Sequence, residues 1–166
     1  MCIRDSYYSG QKVIYLNLGV DFSAPEFQKG LAEGLRFFAA NKGTYYVHCT
    51  EGKDRAGFVS ALLECLMGAT YDEVVADYMV TYYNYYGVEP GTDKYEAIAN
   101  SNIIKTLQNA FGVEDLSKAD LQKGAKGYMK AIGLTDAEIT DLMVNLGYVA
   151  PVEPATPSKP ATGDAG

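Results

Sequence analysis

The chain has 166 residues and a net charge of −7 at pH 7. This length is enough for one domain with a sizeable core, and the acidic balance argues against nucleic acid or an anionic membrane surface as the main partner. The sequence contains no apolar run of about 18 residues and no C-x-x-C pair, and it has a single histidine. These features predict no membrane span and argue against a zinc or iron site.

The first six residues are predicted not to belong to the protein. The run MCIRD reads back as ATG-TGT-ATA-AGA-GAC, which resembles the end of a transposase adapter used in sequencing libraries. On this interpretation the chain is a fragment with a missing natural N-terminus. Cys2 then drops out of the count of three cysteines.

The first predicted element is a strand over residues 13–20, which is followed directly by Asp21. A helix is predicted next, because Ser23 and Glu26 have the spacing of a capping box. Apolar residues then recur at helical spacing. This apolar stripe consists of Phe27, Leu31, Leu35 and Phe38.

A second predicted strand covers residues 44–48 and leads into the run HCTEGKDRAG. The residues after that run are apolar nearly all round, which predicts a buried helix that ends at Gly68. The run therefore joins a strand to the N-terminus of a helix. Such a place binds anions, because free backbone N–H groups and the positive end of the helix dipole point towards it.

The chemistry of this run centres on Cys49. A free cysteine has a pKa of about 8.5, which a helix N-terminus and nearby cations can lower to roughly 3.5–7.5. Arg55 can bind two phosphate oxygens with its planar guanidinium group. Gly52 permits the positive φ or close backbone approach that a loop around an oxyanion needs. A nucleophile and an anion-binding loop are thus predicted in one short segment.

The segment from Cys49 to Arg55 is a C-x5-R signature preceded by His48, and it resembles the phosphate-binding loop of cysteine-dependent protein tyrosine phosphatases. Its HCxxGKDRxG form is similar to a bacterial branch that acts on phosphotyrosine and, in some members, on phosphoinositides. The resemblance implies the C-terminal part of an α/β domain, with a parallel sheet and several C-terminal helices. It also implies a cysteine nucleophile, a supporting hydrogen bond from His48 near the base of the loop, and no metal or cofactor. The implied phosphate-binding residues are Thr50, Glu51, Gly52, Lys53, Asp54 and Arg55.

The resemblance further implies a general acid on the loop after the preceding strand. Asp21 is the first candidate, although it could simply end the strand or cap the helix. Asp54 is the rival acid, and its other possible role is to orient loop amides or pair with Lys53. Lys53 would suit a substrate with more than one phosphate, or it is an ordinary solvated lysine of the loop.

The sequence departs from the family pattern at Ala56, where the family usually has Ser or Thr. That hydroxyl helps the cysteine to leave the phospho-enzyme, so Ala56 puts the second chemical step in doubt. It favours the alternative of a pseudophosphatase that binds phosphorylated partners, whereas the presence of Cys49 and Arg55 favours an enzyme. A rhodanese-like sulfurtransferase also uses a cysteine loop, but that loop is typically one residue shorter.

The chain beyond Gly68 is predicted to be helical. Capping boxes at Thr70 with Glu73 and at Thr135 with Glu138 predict two helix starts. A helix over 95–111 is interrupted near 100–102, and another covers 121–132. These helices would form a lid or a flank of the active site. The first carries a stripe interpreted as core rather than as a binding platform: Val75, Tyr78, Met79, Tyr82 and Tyr86.

Residues 150–166 are rich in Pro, Ala and Thr and are predicted to be a disordered tail. The end of the tail, KPATGD, resembles the sortase signal LPxTG, with Lys159 in place of leucine. A sorting signal would make this a secreted or cell-wall-anchored enzyme of a Gram-positive bacterium. An ordinary proline-rich tail would leave a cytoplasmic location open.

Residues 7–149 are therefore predicted to be a phosphatase domain that hydrolyses phosphomonoesters through a phosphocysteine intermediate. A protein tyrosine phosphatase is the first interpretation, and a phosphoinositide or inositol-phosphate phosphatase is the alternative. The expected partner is a phosphorylated protein or phosphoinositide substrate, with no nucleic acid and no metal, and the oligomeric state is left open. Two strands with an exposed sheet edge also predict marginal stability.

Overall fold

The computed structural model describes residues 10–149, which are built from α-helices joined by loops. The predicted adapter residues 1–6 and the proline-rich tail with its sortase-like end lie outside the described residues. One short 3-10 helix, Leu116–Lys118, precedes the sixth α-helix. The α-helices are α1 (Pro25–Ala40), α2 (Arg55–Met67), α3 (Tyr71–Tyr86), α4 (Asp93–Ala99), α5 (Ile103–Phe111), α6 (Leu121–Ala131) and α7 (Asp136–Asn145).

The predicted parallel sheet and α/β class are wrong, because neither residues 13–20 nor residues 44–48 form a strand. A strand exists only where its backbone exchanges hydrogen bonds with a neighbouring segment. No backbone hydrogen bonds join these two segments to each other or to the rest of the described structure. The described part of the chain is therefore helical. The strand predictions rest on side-chain patterns, which report burial but supply no pairing partner, and the α/β class rests on the family resemblance.

The alternating side chains of residues 13–20 still pack on one side. Leu16 and Leu18 are half-buried, whereas Tyr15 before them and Asn17 between them are exposed. Leu18 lies over Gly30 and Leu16 over Gly34 on the same face of α1, so close that an added Cβ would be 2.4 Å and 2.9 Å from their methyl carbons. These two glycines make room for the segment along α1.

The predicted capping box at the start of α1 is also wrong. The helix begins at Pro25, its N-cap is Ala24, and no side chain caps it. The hydroxyl of Ser23 is instead 2.6 Å from Oδ1 of Asp21, to which it donates a hydrogen bond. Pro25 suits the first helical position because it has no N–H that would need an acceptor.

Helix α2 is the centre of the core and ends as predicted, with Gly68 in the left-handed conformation at φ 93°. Phe58, Leu62 and Leu66 are completely buried on it. Its main packing partner is α6, and α3 and α5 also contact it. The C-terminal helices therefore support the helix that follows the cysteine loop, as the flank interpretation expected.

The local helix signals of the C-terminal half are confirmed. Thr70 with Glu73 and Thr135 with Glu138 form complete capping boxes at α3 and α7. The predicted interruption separates α4 from α5, where Asn102 has a positive φ of 44°.

Helices α1 and α7 pack side by side. The side-chain amide of Asn145 at the end of α7 donates to the carbonyls of Phe38 (3.0 Å) and Ala39 (2.8 Å) at the end of α1. Arg36 of α1 donates from Nε to Glu138 of α7 at 2.9 Å. Among residues 10–149, no helix combines the length and apolar character that crossing a membrane requires.

Candidate active site

The cysteine loop runs from Cys49 to Arg55 and opens directly into the first turn of α2. Gly52 at its apex has a φ of +72°, a left-handed conformation that favours glycine. Asp54 is the N-cap residue, and its carbonyl accepts the hydrogen bond of the first turn from Phe58 N–H at 2.8 Å. The loop amides and the N-terminus of α2 thus lie on the same short stretch as the thiol.

The environment of Cys49 favours the thiolate. Partial burial raises the pKa of the thiol, but hydrogen bonds from the backbone N–H groups of Ala56, Glu51 and Gly52 lower it, as does the charge of Arg55. The lowering effects prevail, and the pKa of Cys49 lies below its ordinary value. Three amides and one cation surround the sulfur, which is the arrangement that activates a nucleophilic cysteine.

The guanidinium group of Arg55 is fixed at the side of the loop. Its Nη1 donates to the carbonyl of Leu18 at 2.9 Å, and its Nη2 donates to Oγ1 of Thr50 at 2.9 Å. Its Nε is buried and has no hydrogen-bond partner among residues 10–149. A buried, charged donor without a partner is costly, and an anion in the loop could satisfy it.

Asp21 lies on a turn that two contacts hold against α2. On one side, the carbonyl of Leu18 binds Arg55. On the other side, the ring of Phe22 packs on the buried ring of Phe58, with 4.9 Å between their centroids. These contacts bring the turn of the candidate acid to the N-terminal half of α2.

The carboxylate of Asp21 is itself bound locally. It accepts hydrogen bonds from the hydroxyl of Ser23 at 2.6 Å and from the backbone N–H of Ser23 at 3.0 Å. The Ser23 hydroxyl, followed by its amide, lowers the pKa of Asp21 below the ordinary value. An acid catalyst must be protonated, whereas these two hydrogen bonds to Oδ1 favour the carboxylate form of Asp21.

The rival acid, Asp54, is the N-cap of α2, but its side chain makes no capping hydrogen bond. Its carboxylate lies 3.8 Å from Nζ of Lys53, in agreement with the predicted pairing. Lys53 is also 3.1 Å from the carboxylate of Glu51. The ammonium group of Lys53 is thus occupied by neighbours within the loop and is not a freely solvated charge.

His48 is exposed and stacks on Tyr46, with 5.8 Å between ring centroids and 25° between the ring planes. It lies on the outward-facing side of residues 44–48. Its expected role in holding the thiolate stays a prediction.

Two partners of the loop were not predicted from the sequence. The carbonyl of Leu18 binds Arg55, and the hydroxyl of Tyr86 accepts a hydrogen bond from Lys53 at 3.3 Å. A contact made by a backbone carbonyl cannot be predicted from residue types, because every residue has one. Tyr86 did have a sequence signal, since Tyr78, Tyr82 and Tyr86 recur every four residues on one face of α3. The core interpretation holds for buried Tyr78 and Tyr82, whereas Tyr86 is 49% exposed and reaches the loop.

The loop brings a thiol of lowered pKa, backbone amides and an arginine with two hydrogen bonds to the N-terminus of a helix, where anions can bind. Residues 13–147 match the model of the tyrosine phosphatase family, and the chain belongs to that family. A tyrosine-protein phosphatase of Nostoc commune is 29% identical to this chain in an alignment 147 residues long. The alignment covers 75% of this chain and 45% of the relative. The chain therefore spans less than half of that relative's length. No solved structure matches the chain significantly.

Proposed function

We propose that this protein is a cysteine-dependent phosphatase that hydrolyses phosphomonoesters through a phosphocysteine intermediate. The observation that carries the proposal is the loop from Cys49 to Arg55, in which a thiol of lowered pKa stands with the buried Nε of Arg55 at the N-terminus of α2. Such a site holds a thiolate and can hold a phosphoryl group against the same donors. Family membership supports the same reaction class.

In the first step, the thiolate of Cys49 attacks phosphorus. A sulfur–phosphorus bond forms, the ester oxygen–phosphorus bond breaks, and the leaving oxygen takes a proton from the general acid. Arg55 and the amides of residues 50–55 hold the equatorial oxygens and bind the charge of the transition state more tightly than the substrate. Asp21 is the proposed acid, and Asp54 is the alternative.

In the second step, water attacks phosphorus and gives up a proton to the carboxylate of the general acid, while the sulfur–phosphorus bond breaks. This releases inorganic phosphate and regenerates both the thiolate and the acid. Ala56 offers no hydroxyl to assist the departing sulfur, but its backbone N–H donates to Cys49 and stabilises the same thiolate. We therefore expect this step to be slow rather than blocked. Ala56→Ser would add the missing hydroxyl and is expected to raise the rate of phospho-enzyme hydrolysis.

The proposed substrate is phosphotyrosine in a protein. The name of the Nostoc commune relative, a tyrosine-protein phosphatase, supports this choice. The family resemblance of the HCxxGKDRxG loop keeps a phosphoinositide or an inositol phosphate as the alternative. A pseudophosphatase that binds phosphorylated partners is the alternative of another class, and only Ala56 favours it.

The decisive measurement is phosphate release from a phosphotyrosine peptide and from a phosphoinositide, by this chain and by Cys49→Ser. Circular dichroism checks that both proteins are folded. Steady turnover that Cys49→Ser abolishes would establish the reaction, and the better substrate would name the class. A single stoichiometric burst would identify a stall at phosphocysteine. Phosphopeptide binding with no release at all would refute the proposal and favour the pseudophosphatase.

A further inference from the structure

The side chain of Lys53 extends away from its own loop towards the C-terminal end of α3. Its Nζ is 3.3 Å from the hydroxyl of Tyr86, to which it donates a hydrogen bond. The same atom is 5.5 Å from the centroid of the Tyr86 ring and 5.9 Å from that of Tyr82, within the range of a cation–π contact. The apex of the cysteine loop is thereby attached to a helix that starts only after the whole length of α2.

The tyrosines that receive Lys53 are held in place by the rest of the fold. Tyr82 is buried, and its hydroxyl accepts a hydrogen bond from the side-chain amide of Asn102 at 2.8 Å. Its ring packs on Tyr78 on one side and on Tyr86 on the other, with centroids 5.6 Å and 5.7 Å away. The ring of Tyr78 in turn lies against Gly57 in the first turns of α2. Lys53 therefore contacts a row of three packed tyrosine rings, two of which are buried.

The position of Lys53 in the loop connects this attachment to the sulfur. Lys53 directly follows Glu51 and Gly52, whose backbone N–H groups donate to Cys49. Apart from the two chain neighbours of Gly52, no residue in the described range 10–149 comes within 4 Å of the site where Gly52 would carry a Cβ. Packing on that side of the apex therefore does not fix the direction of these amides. The contacts of the next side chain can fix it.

We propose that Lys53 is a positioning residue, which holds the amides of Glu51 and Gly52 on the Cys49 sulfur by fastening the loop to Tyr86 and Tyr82. This inference assigns the side chain of Lys53 to the structure of the loop and not to a second phosphate of the substrate. It rests on the proposed function only in taking Cys49 as the nucleophile.

The charges around Lys53 support this assignment. The carboxylates of Glu51 and Asp54 lie 3.1 Å and 3.8 Å from its Nζ and together outweigh its single positive charge. A second phosphate of a substrate would have to displace Glu51 and would meet Asp54 nearby. A substrate with one phosphate needs only the loop amides and Arg55. The site thus fits a monophosphate ester such as phosphotyrosine.

The test uses the rate of Cys49 alkylation by iodoacetamide as a function of pH, which reports the thiolate without requiring any phosphatase activity. Tyr86→Phe removes the hydroxyl that binds Lys53 and changes no charge at neutral pH. Tyr85→Phe is the matched control, because Tyr85 is exposed on the same helix and its hydroxyl is not the one that binds Lys53. Cys65 is completely buried, and a Cys49→Ser background measures its contribution.

Tyr86→Phe is expected to raise the alkylation midpoint by about half a pH unit, so that alkylation below the midpoint slows about threefold. Lys53→Met is expected to raise it by about one unit, with about tenfold slower alkylation, because the charge is lost as well. Tyr85→Phe should match the parent protein. An unchanged midpoint in Tyr86→Phe would overturn the proposal, even if Lys53→Met shifts, because that pattern is a pure charge effect.

Substrate kinetics provide a second and independent readout. As a positioning residue, Lys53 affects kcat alike for a phosphotyrosine peptide and for a phosphoinositide bisphosphate. A rise in KM for the bisphosphate alone in Lys53→Met would instead identify Lys53 as a ligand of the second phosphate and overturn the inference. Complete absence of turnover in the parent protein would refute the proposed function, while the alkylation profiles would still decide the role of Lys53.

Discussion

Arg55→Lys is expected to remove both a structural clamp and an anion-binding group. Arg55 makes two hydrogen bonds, to the carbonyl of Leu18 and to Thr50, that a single ammonium group on a different stem cannot both reproduce. A hydrogen bond of a charged group contributes about 1.5–3 kcal/mol. Loss of one bond should therefore lower the free energy of unfolding by about that amount.

The functional half of this prediction is measured by adding inorganic phosphate. A ligand at 100 times its Kd stabilises the folded state by about 2.7 kcal/mol, and in Arg55→Lys this gain should largely disappear. Urea denaturation followed by circular dichroism, with and without phosphate, gives both quantities in one experiment. Arg55→Lys with an undiminished phosphate effect would refute the assignment of Arg55 to the anion site.

Arg36→Lys is the matched control for this experiment. Arg36 also makes two hydrogen bonds, to Glu138 and to the carbonyl of Gly133, but it joins α1 to α7 and not to the loop. Because Arg36 is partly exposed, its replacement should cost less, about 0.5–1.5 kcal/mol. The stabilisation by phosphate should remain intact in this variant.

The remaining predictions concern the acid, the packing of α6 and the half-buried carboxyl group of Glu64. Asp21→Asn should lower kcat/KM, which reports the first chemical step, about 100- to 10,000-fold for phenyl phosphate but far less for p-nitrophenyl phosphate, whose leaving group needs no proton. The same loss in Asp54→Asn instead would make Asp54 the acid. Ser23→Ala removes the main cause of the lowered pKa of Asp21, so the basic limb of the pH profile of kcat/KM should move to higher pH. Gly124→Ala should destabilise the protein by about 0.5–2 kcal/mol, because the new Cβ would lie 2.6 Å from Cδ2 and 3.2 Å from Cβ of Phe111. Gly127 has open space around it among the described residues, so Gly127→Ala should raise the free energy of unfolding by about 0.5–1 kcal/mol in the same urea titration. Burial and the charge of Asp77 raise the pKa of Glu64 from 4.5 to about 8, so the folded state holds this proton more tightly than the unfolded chain does. The contribution of Glu64 to stability is full below pH 4.5 and is lost as the pH rises to about 8. With a discount for partial exposure, Glu64→Gln should reduce the loss of unfolding free energy over this pH range by about 1–2 kcal/mol. Equal pH slopes of the unfolding free energy in the two proteins would contradict the raised pKa of Glu64.

The success of the sequence predictions depended on how local each signal was. The capping boxes at Thr70 and Thr135 were predictable because all their partners lie within four residues. The same signature failed at Ser23, since the carboxylate two residues before it takes its hydroxyl. The prediction of a sheet failed for a different reason. A strand needs a pairing partner that can lie anywhere in the chain, and the side-chain pattern of residues 13–20 does not identify that partner.

The candidate site divides in the same way. The C-x5-R spacing identified Cys49 and Arg55, because a loop of fixed length determines which groups surround the sulfur. The contacts that fix this loop from outside, at Leu18 and Tyr86, come from distant segments. The sequence predicted Lys53 either as suited to a substrate with more than one phosphate or as a solvated lysine of the loop. Only its surroundings reveal that two carboxylates and two aromatic rings already engage that charge.

Because Arg55 donates a hydrogen bond to the carbonyl of Leu18, the candidate site is complete only when the two segments have folded together. The bond closes a large loop that contains the whole of α1, so it forms only after the entropy of closing that loop has been overcome. A chain in which residues 13–20 have detached from α1 would keep its cysteine but release its arginine. Anion binding through Arg55 should therefore be gained and lost with the docking of residues 13–20, and amide hydrogen exchange in the first turn of α2 should follow the detachment of that segment, which is distant in sequence.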